Sequence, residues 1–173
     1  VADFGHGFLG PDLIRTITAN AKFLAVNTQT NGANMGFNLI TQYPKLDFAS
    51  LDELEIRYAA HDRSNHLHQI MKQVARKLGC GSLIITRGYC GAISLTERSG
   101  FTEAPALATS VVDAVGAGDA FFAFTAPLVY RKVPDELVVF LGNAVGALAV
   151  QIVCNREPVD PIYLKKFITT ILK

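Results

Sequence analysis

Residues 111–122 read VVDAVGAGDAFF, and this segment says more about the chain than any other. At its centre, Gly116, Ala117 and Gly118 leave their backbone N–H groups open directly before an apolar helix. The first N–H groups of a helix lack partners within it, and the helix dipole adds positive potential there, so such a start favours an anion. Asp119 lies in the first turn, where its carboxylate either caps the helix or serves as a general base beside a bound phosphate.

The hydrophobic pattern around this segment alternates between strands and helices. Short apolar runs predict the end of a strand at 1–4 and strands at 23–26, 48–51, 82–86, 92–96 and 101–104. Spaced apolar residues predict helices at 11–21, 118–130, 135–153 and 161–172, and a longer one at 52–78 that polar residues 61–65 divide and Gly79 ends. This order predicts an α/β fold with a mostly parallel sheet and flanking helices. Because no segment resembles a linker, residues 1–173 are interpreted as a single partial domain.

The composition excludes several classes of protein. Its 16 Lys and Arg residues nearly balance 15 Asp and Glu residues, so the net charge is +1 and no basic face for nucleic acid is expected. Half of the residues are hydrophobic and 18% are charged, which excludes a disordered chain. The apolar stretch 137–154 is short for a membrane span and contains Asn143, so a buried helix is predicted. Cys80, Cys90 and Cys154 have no CxxC spacing, which favours a cytoplasmic protein without a disulfide framework.

The start of the chain predicts that it is part of a larger domain. It begins at Val1 rather than Met, and residues 1–4 already resemble the end of a buried strand. A half-domain exposes apolar surface that its other half would cover, which agrees with the apolar excess. We therefore expect self-association of the isolated chain, as a homodimer or through this exposed surface.

Five segments share a pattern with one family of proteins. They are residues 113–119 (DAVGAGD), 86–92 (TRGYCGA), 140–147 (FLGNAVGA), 50–55 (SLDELE) and 3–7 (DFGHG). In this order they resemble the Asp-Thr-x-Gly-Ala-Gly-Asp signature, the Thr-x-Gly-x-x-Gly turn, a small-residue helix with Asn, an Asn-x-x-Glu element and an Asp-Tyr-x-Lys-Gly segment. These are motifs of the ribokinase-like (PfkB) carbohydrate kinases, and the last is typical of the heptose-kinase branch.

This resemblance implies a ribokinase-like fold with three layers, α/β/α, from which the N-terminal half and its lid are missing. It also implies transfer of the γ-phosphate of ATP to a hydroxyl of a sugar or sugar phosphate, with Mg²⁺ as a cofactor. Asp119 would be the general base, and the N–H groups of Gly116, Ala117 and Gly118 would stabilise the transferring phosphate. Glu53 would help to hold Mg²⁺ indirectly. The nucleotide would contact Thr86, Gly88, Gly91, Asp113, Asn143 and Gly146. The chain alone is expected to be inactive, because sugar selection and lid closure belong to the missing half.

Three positions depart from the family pattern. Ala114 replaces the usual Thr and removes a hydroxyl beside the anion loop, which leaves activation by a monovalent cation open. Ser50 replaces the usual Asn and weakens the link to Mg²⁺, while His6 replaces Lys, so a positive charge there depends on pH. Asp113 is expected to orient the loop rather than to react. A non-catalytic nucleotide-binding or assembly module with the same fold therefore remains an alternative.

Other motifs carry weaker signals. Residues 5–10 (GHGFLG) fit a dinucleotide-binding fingerprint, which would indicate an NAD-binding Rossmann domain, but Asn27 stands where the confirming acid is expected. The three histidines within residues 61–68 are interpreted as a solvated helix surface rather than a metal site. Cys90 is interpreted as a small apolar filler of its turn rather than a reactive thiol.

Overall fold

A computed structural model describes residues 1–173. Six strands form one sheet in the order β1-β2-β3-β4-β5-β6. Their bounds are β1 (Ala2–Asp3), β2 (Ala25–Thr28), β3 (Phe48–Asp52), β4 (Ser82–Thr86), β5 (Ala92–Thr96) and β6 (Gly100–Ala104). Neighbouring strands from β1 to β4 run parallel, as the sequence predicts.

Six α-helices and three short 3₁₀ turns complete the structure. The helices are α1 (Pro11–Asn20), α2 (Glu53–Ala60), α3 (Leu67–Leu78), α4 (Ala117–Tyr130), α5 (Asp135–Ala149) and α6 (Pro161–Ile171). The 3₁₀ turns are Ile40–Gln42, Gly88–Cys90 and Val153–Asn155. No helix is both long enough and apolar enough to cross a membrane.

The chain divides into two compact units. The first comprises residues 1–86 and 94–101, and the second comprises residues 87–93 and 102–173. Strands β1 to β4 and helices α1 to α3 thus belong to the first unit, whereas helices α4 to α6 belong to the second. The single partial domain over residues 1–173 stays a prediction.

The core of the first unit is built on its central parallel strands. Val26 of β2, Phe48 of β3 and Leu83 of β4 are completely buried. Helices α2 and α3 contribute Ile56 and Ile70, which are equally buried. Strands of a parallel sheet are covered on both faces, so continuous apolar runs rather than alternating ones are expected in them.

Local signals determine where α2 and α3 begin and end. The Asp52 carboxylate accepts the N–H of Glu55 at 2.7 Å, and the Glu55 carboxylate accepts the N–H of Asp52 at 2.8 Å. Such a capping box stabilises a helix start by about 1 kcal/mol. Left-handed residues follow both helices, His61 with φ 52° and Gly79 with φ 57°. The predicted division at 61–65 and the predicted end at Gly79 are both confirmed.

The second unit is organised by the packing of α4 on α5. Gly142 of α5 faces Phe121 and Thr125 of α4, and a Cβ on Gly142 would lie 2.5 Å from the Phe121 ring. Leu164 of α6 is buried in a cluster with Ala144 of α5. The predicted helix within residues 135–153 is therefore a packed helix of this unit.

Strand β2 lies about two residues further along the chain than predicted. It begins at Ala25 and includes the buried Asn27, which the apolar pattern did not suggest as a strand residue. Asn27 Nδ2 donates to the carbonyl of Ser50 at 2.8 Å. This bond satisfies one half of the buried amide, whereas Asn27 Oδ1 is buried without a hydrogen-bond partner, which carries a cost in free energy.

Helix α5 ends at Ala149, four residues earlier than predicted. The next carbonyl, that of Val150, accepts the N–H groups of Val112 and Asp113 at 2.9 and 3.1 Å. This tertiary hydrogen bonding takes the place of a further helical turn. It also brings the end of α5 next to the segment that precedes α4.

Candidate active site

The glycine-rich segment forms a tight turn at the start of α4, here called the anion turn (residues 114–118). Gly116 is the N-cap of α4 in a left-handed conformation, with φ 79°, and no side chain caps the helix. The Ala117 N–H donates to the Ala114 carbonyl at 3.3 Å, while the Gly116 carbonyl accepts the N–H of Ala120 at 2.9 Å. A Cβ added to Gly118 would meet nothing within 4 Å. The backbone of the anion turn is therefore accessible to an anion at the positive end of the helix dipole.

Asp113 holds the anion turn from its N-terminal side. Its Oδ1 accepts the N–H of Val115 at 2.9 Å, and its Oδ2 accepts the N–H of Cys154 at 2.8 Å. These hydrogen bonds to the charged form lower the pKa of the Asp113 carboxyl below its ordinary value, the bond from Val115 having the largest effect. The expectation that Asp113 orients the loop thus has a direct geometric basis.

Asp119 is the third residue of α4 and is half-buried. It lines a cavity of about 630 Å³ within the second unit, together with Gly116. Asn155 and Glu157 are the other polar residues of the wall, and most of the remainder is apolar, including Phe124. The carboxylate of Asp119 therefore adjoins both the anion turn and a space large enough for a small ligand.

Two of the residues predicted to contact the nucleotide, Gly91 and Asn143, meet at the end of β6. Asn143 of α5 is buried, and its Nδ2 donates to the carbonyls of Ala104 and Pro105 at 2.9 and 3.0 Å. Gly91 lies against the same two residues, because a Cβ there would be 2.5 Å from the Pro105 carbonyl carbon. Gly91 is left-handed, with φ 81°, and no side chain would fit at this approach.

The turn that carries Gly88 and Gly91 is closed by its own backbone. The Arg87 N–H donates to the Gly91 carbonyl at 2.7 Å, and the Arg87 guanidinium pairs with Glu103 at 2.9 Å. Gly88 is left-handed, with φ 54°. Cys90 is exposed in this turn, so its interpretation as an apolar filler is wrong. Tyr89 beside it is exposed as well, so packing does not select for a buried side chain at this position.

Two further candidate residues, Thr86 and Glu53, belong to the first unit. Thr86 ends β4, and its hydroxyl donates to the Leu51 carbonyl at 3.4 Å. Glu53 starts α2, and its carboxylate accepts from the guanidinium of Arg57 at 2.7 and 3.0 Å. An ion pair already offsets the charge of Glu53, which suits an indirect rather than a direct metal contact. No group of three or more His, Cys, Asp or Glu side chains is arranged to hold a metal ion.

The hydrogen bonds of Asp3, the first residue of the motif at 3–7, were not predicted from the sequence. Asp3 ends β1 and is only 4% exposed, and its carboxylate accepts from Tyr43 Oη and Gln42 Nε2, each at 2.9 Å. Burial and the bond to Asp3 raise the pKa of the Tyr43 hydroxyl. Asn38 Nδ2 also donates to the Asp3 carbonyl at 2.8 Å. The partners of Asp3 lie within residues 38–43, where the sequence pattern predicts neither a helix nor a strand.

Comparison with known proteins agrees with the motifs and the fold. The model of the pfkB family carbohydrate kinases matches residues 12–159, and the chain belongs to this family. The bifunctional protein HldE of Koribacter versatilis (strain Ellin345) is 28% identical over 172 residues, which are 98% of this chain and 34% of that protein. The NAD-binding alternative is therefore not favoured.

Solved structures with the same fold include two ribokinases. Arabidopsis thaliana ribokinase with ribose and ATP superposes with a TM-score of 0.72 at 16% identity, covering 91% of this chain and 51% of that one. An Escherichia coli protein described as a ribokinase II, with ATP and Mg²⁺, superposes with a TM-score of 0.71 at 17% identity, covering 91% and 52%. The predicted ribokinase-like α/β fold is confirmed. The chain spans about a third of HldE and about half of each of these structures.

Proposed function

We propose that the protein containing this chain is an ATP-dependent sugar kinase, which transfers the γ-phosphate of ATP to a hydroxyl of a sugar or sugar phosphate. The observation that carries this proposal is the position of Asp119 in the first turn of an uncapped helix, directly after the left-handed Gly116 and beside a cavity. Such an arrangement combines a proton acceptor with a site for phosphate. Membership of the pfkB family supports the same reaction class.

In the proposed reaction, Asp119 accepts the proton of the acceptor hydroxyl while the hydroxyl oxygen attacks the γ-phosphorus. The bond from the γ-phosphorus to the bridging oxygen of ADP breaks, and ADP leaves with that oxygen. The N–H groups of Gly116, Ala117 and Gly118 stabilise the charge on the transferring group. Each well-placed donor of this kind contributes about 3 kcal/mol to catalysis. Because the Ala117 N–H already donates to Ala114, Gly118 and Gly116 are the better donors.

We assign the nucleotide to the surface near the end of β6. Gly88 leaves space for close approach to the backbone, and Gly146 lies one helical turn beyond Asn143 with open space around it. Gly91 contributes indirectly, because it lets the turn pack against Ala104 and Pro105. The Asn143 NH₂ group already binds two carbonyls, so its Oδ1 is the atom available to the base or ribose. Thr86 precedes this turn at the end of β4, and Asp113 acts by fixing the anion turn.

Magnesium fits this chain as an ion held mainly by phosphates and water. Mg²⁺ keeps several water ligands and needs few protein carboxylates, and when bound it neutralises charge on the phosphates. The pairing of Glu53 with Arg57 leaves Glu53 suited to a hydrogen bond with such a water. We also propose a cytoplasmic location, in agreement with three cysteines that are all free.

The decisive experiment compares the full-length protein with its Asp119→Asn variant, using ATP and a panel of sugars and sugar phosphates that includes heptoses. We expect kcat to fall by about 10²- to 10⁴-fold, while the affinity for ATP is retained. The matched control is Glu136→Gln, which removes an exposed acid from the first turn of α5 and should leave turnover unchanged. Equal activity of Asp119→Asn and wild type would remove Asp119 from the mechanism.

A further outcome separates the kinase from a binding module. If the wild-type protein binds ATP but phosphorylates no acceptor in the panel, the proposed activity fails and a nucleotide-binding or assembly role is favoured. The same titration of ATP with both variants provides this measurement, because binding does not depend on turnover.

A further inference from the structure

We propose that Asn155 is a positioning residue that holds the anion turn in its active geometry. This inference rests on the proposed function of the anion turn, because it assigns Asn155 a role in arranging the N–H donors of that turn. Asn155 lies 36 positions beyond Asp119 in the sequence numbering and belongs to no motif. We infer its role from the contacts between the segment after α5 and the segment before α4.

The side chain of Asn155 lies directly against Gly116. The space that a Cβ on Gly116 would need is occupied by the carboxamide of Asn155. Gly116 has φ 79°, a conformation that costs glycine little but also leaves it free to move to others. The contact with Asn155 therefore restrains Gly116, whose backbone is flexible because it has no side chain.

Asn155 is itself fixed by an unusual backbone. It has φ 51°, and Cys154 before it has φ 48°, so two consecutive non-glycine residues are left-handed. Asn tolerates this region better than most residues with a side chain. Asn at this position thus meets two requirements, the left-handed backbone and a flat polar group that fits against Gly116.

Residues 150–155 contact residues 110–116 along their length. The Val150 carbonyl accepts two N–H groups from residues 112 and 113, and Gln151 Nε2 donates to the Ser110 carbonyl at 2.6 Å. The Cys154 N–H donates to Asp113 Oδ2 at 2.8 Å. The contact of Asn155 with Gly116 is the last of this series and the one that reaches the anion turn itself.

This arrangement matters for catalysis because stabilising N–H donors must be aimed before the reaction begins. A donor array that has to reorganise contributes less, and small displacements at an active site have large effects on rate. No side chain caps α4, so the N-terminal end of the helix has no restraint of that kind. Asn155 supplies a restraint from outside the helix without occupying the N–H groups of Gly116 and Gly118.

The test compares Asn155→Gly with Lys132→Gly in the full-length protein. Lys132 is also left-handed, with φ 57°, and lies after the other end of α4, so both changes remove a side chain from the same backbone conformation. For Asn155→Gly we expect kcat to fall about tenfold or more with an unchanged thermal midpoint. The KM for the sugar should stay within about twofold of wild type. Lys132→Gly should retain the wild-type kcat.

Amide hydrogen exchange across residues 113–119 provides a readout that does not need turnover. We expect exchange to become about tenfold faster in Asn155→Gly and to stay unchanged in Lys132→Gly. Unchanged exchange together with an unchanged kcat would overturn the role of Asn155. A wild-type protein that phosphorylates no sugar would overturn the proposed function instead, so the two failures are distinguishable.

Asn155→Asp keeps the test valid if Asn155→Gly proves unstable. The substitution preserves size and tolerance of the left-handed backbone, but it places a negative charge against Gly116. We expect the Kd for ATP to rise about tenfold at low salt, and the effect to shrink as salt is added. An ATP affinity equal to that of wild type at low salt would contradict the proposed contact with the anion turn.

Discussion

Asp113 is held by two backbone N–H groups from separate segments of the second unit, and this makes its charge part of the fold. The pKa of its carboxyl is lowered from an ordinary value of 3.8, because both hydrogen bonds favour the ionised form. A lowered pKa means that the stabilising contribution is complete above the unfolded-state value. It is lost as the pH falls through the lower value of the folded state.

We therefore predict a pH-dependent difference between wild type and Asp113→Asn. The thermal midpoint of the variant should be lower at neutral pH, and the two midpoints should converge as the pH falls below 3.8. Thermal unfolding followed by circular dichroism across this range measures the difference. A gap of constant size down to acid pH would show that the loss comes from the altered amide geometry rather than from the charge.

Whether a site residue could be predicted from the sequence depended on how many positions separate it from its partners. The anion turn and Asp119 could be located because all their chemistry lies within a few consecutive positions. Asn155 could not, since its contact with Gly116 spans 39 positions and depends on where α5 ends. The bonds from Gln42 and Tyr43 to Asp3 were missed for the same reason.

Among the secondary-structure elements, α4 and α5 pack closely because Gly142 of α5 has no side chain at their contact. A Cβ on Gly142 would lie 2.5 Å from the Phe121 ring and 2.8 Å from Thr125 Cγ2. Phe121 and Thr125 are both buried, so neither can move aside into solvent. Gly146 lies one turn further along α5, and a Cβ there would meet nothing within 4 Å.

These two glycines give a matched pair of predictions for α5. Replacing Gly by Ala in a helix raises stability by about 1 kcal/mol where space is free, and overpacking costs about 1–3 kcal/mol where it is not. We expect Gly146→Ala to raise the free energy of unfolding and Gly142→Ala to lower it. Urea unfolding of both variants measures the difference, and equal effects of the two substitutions would contradict this packing of α4 on α5.

Element boundaries followed from the sequence where local signals set them. The capping box of α2 and the glycine after α3 are local, and the predicted ends are confirmed. The end of α5 and the position of β2 are set by tertiary hydrogen bonds, through Val150 and Asn27, which no local pattern reveals. At these two boundaries, a distant partner therefore competed with the local preference that periodicity indicates.

For the molecule as a whole, the exposed apolar surface of the first unit is the feature with a direct consequence for association. Phe8 and Phe37 are 84% and 88% exposed, and Met35 is 53% exposed. The loops that carry them are tied together, since Asn34 Nδ2 donates to the Phe4 carbonyl at 3.0 Å. Strand β1 beside them has two residues and lies at the edge of the sheet. Exposed apolar side chains next to an edge strand favour association with another chain.

We predict that the isolated chain of 173 residues self-associates through this surface. Sedimentation velocity should show an average mass that rises with concentration, because burial of large apolar side chains stabilises the associated state. The double substitution Phe8→Ser and Phe37→Ser should shift the chain toward the monomer. Tyr163→Ser, which removes an exposed aromatic ring from α6 in the second unit, should leave the distribution unchanged. A wild-type chain that stays monomeric at every concentration would contradict the prediction, and an equal shift by Tyr163→Ser would place the contact elsewhere.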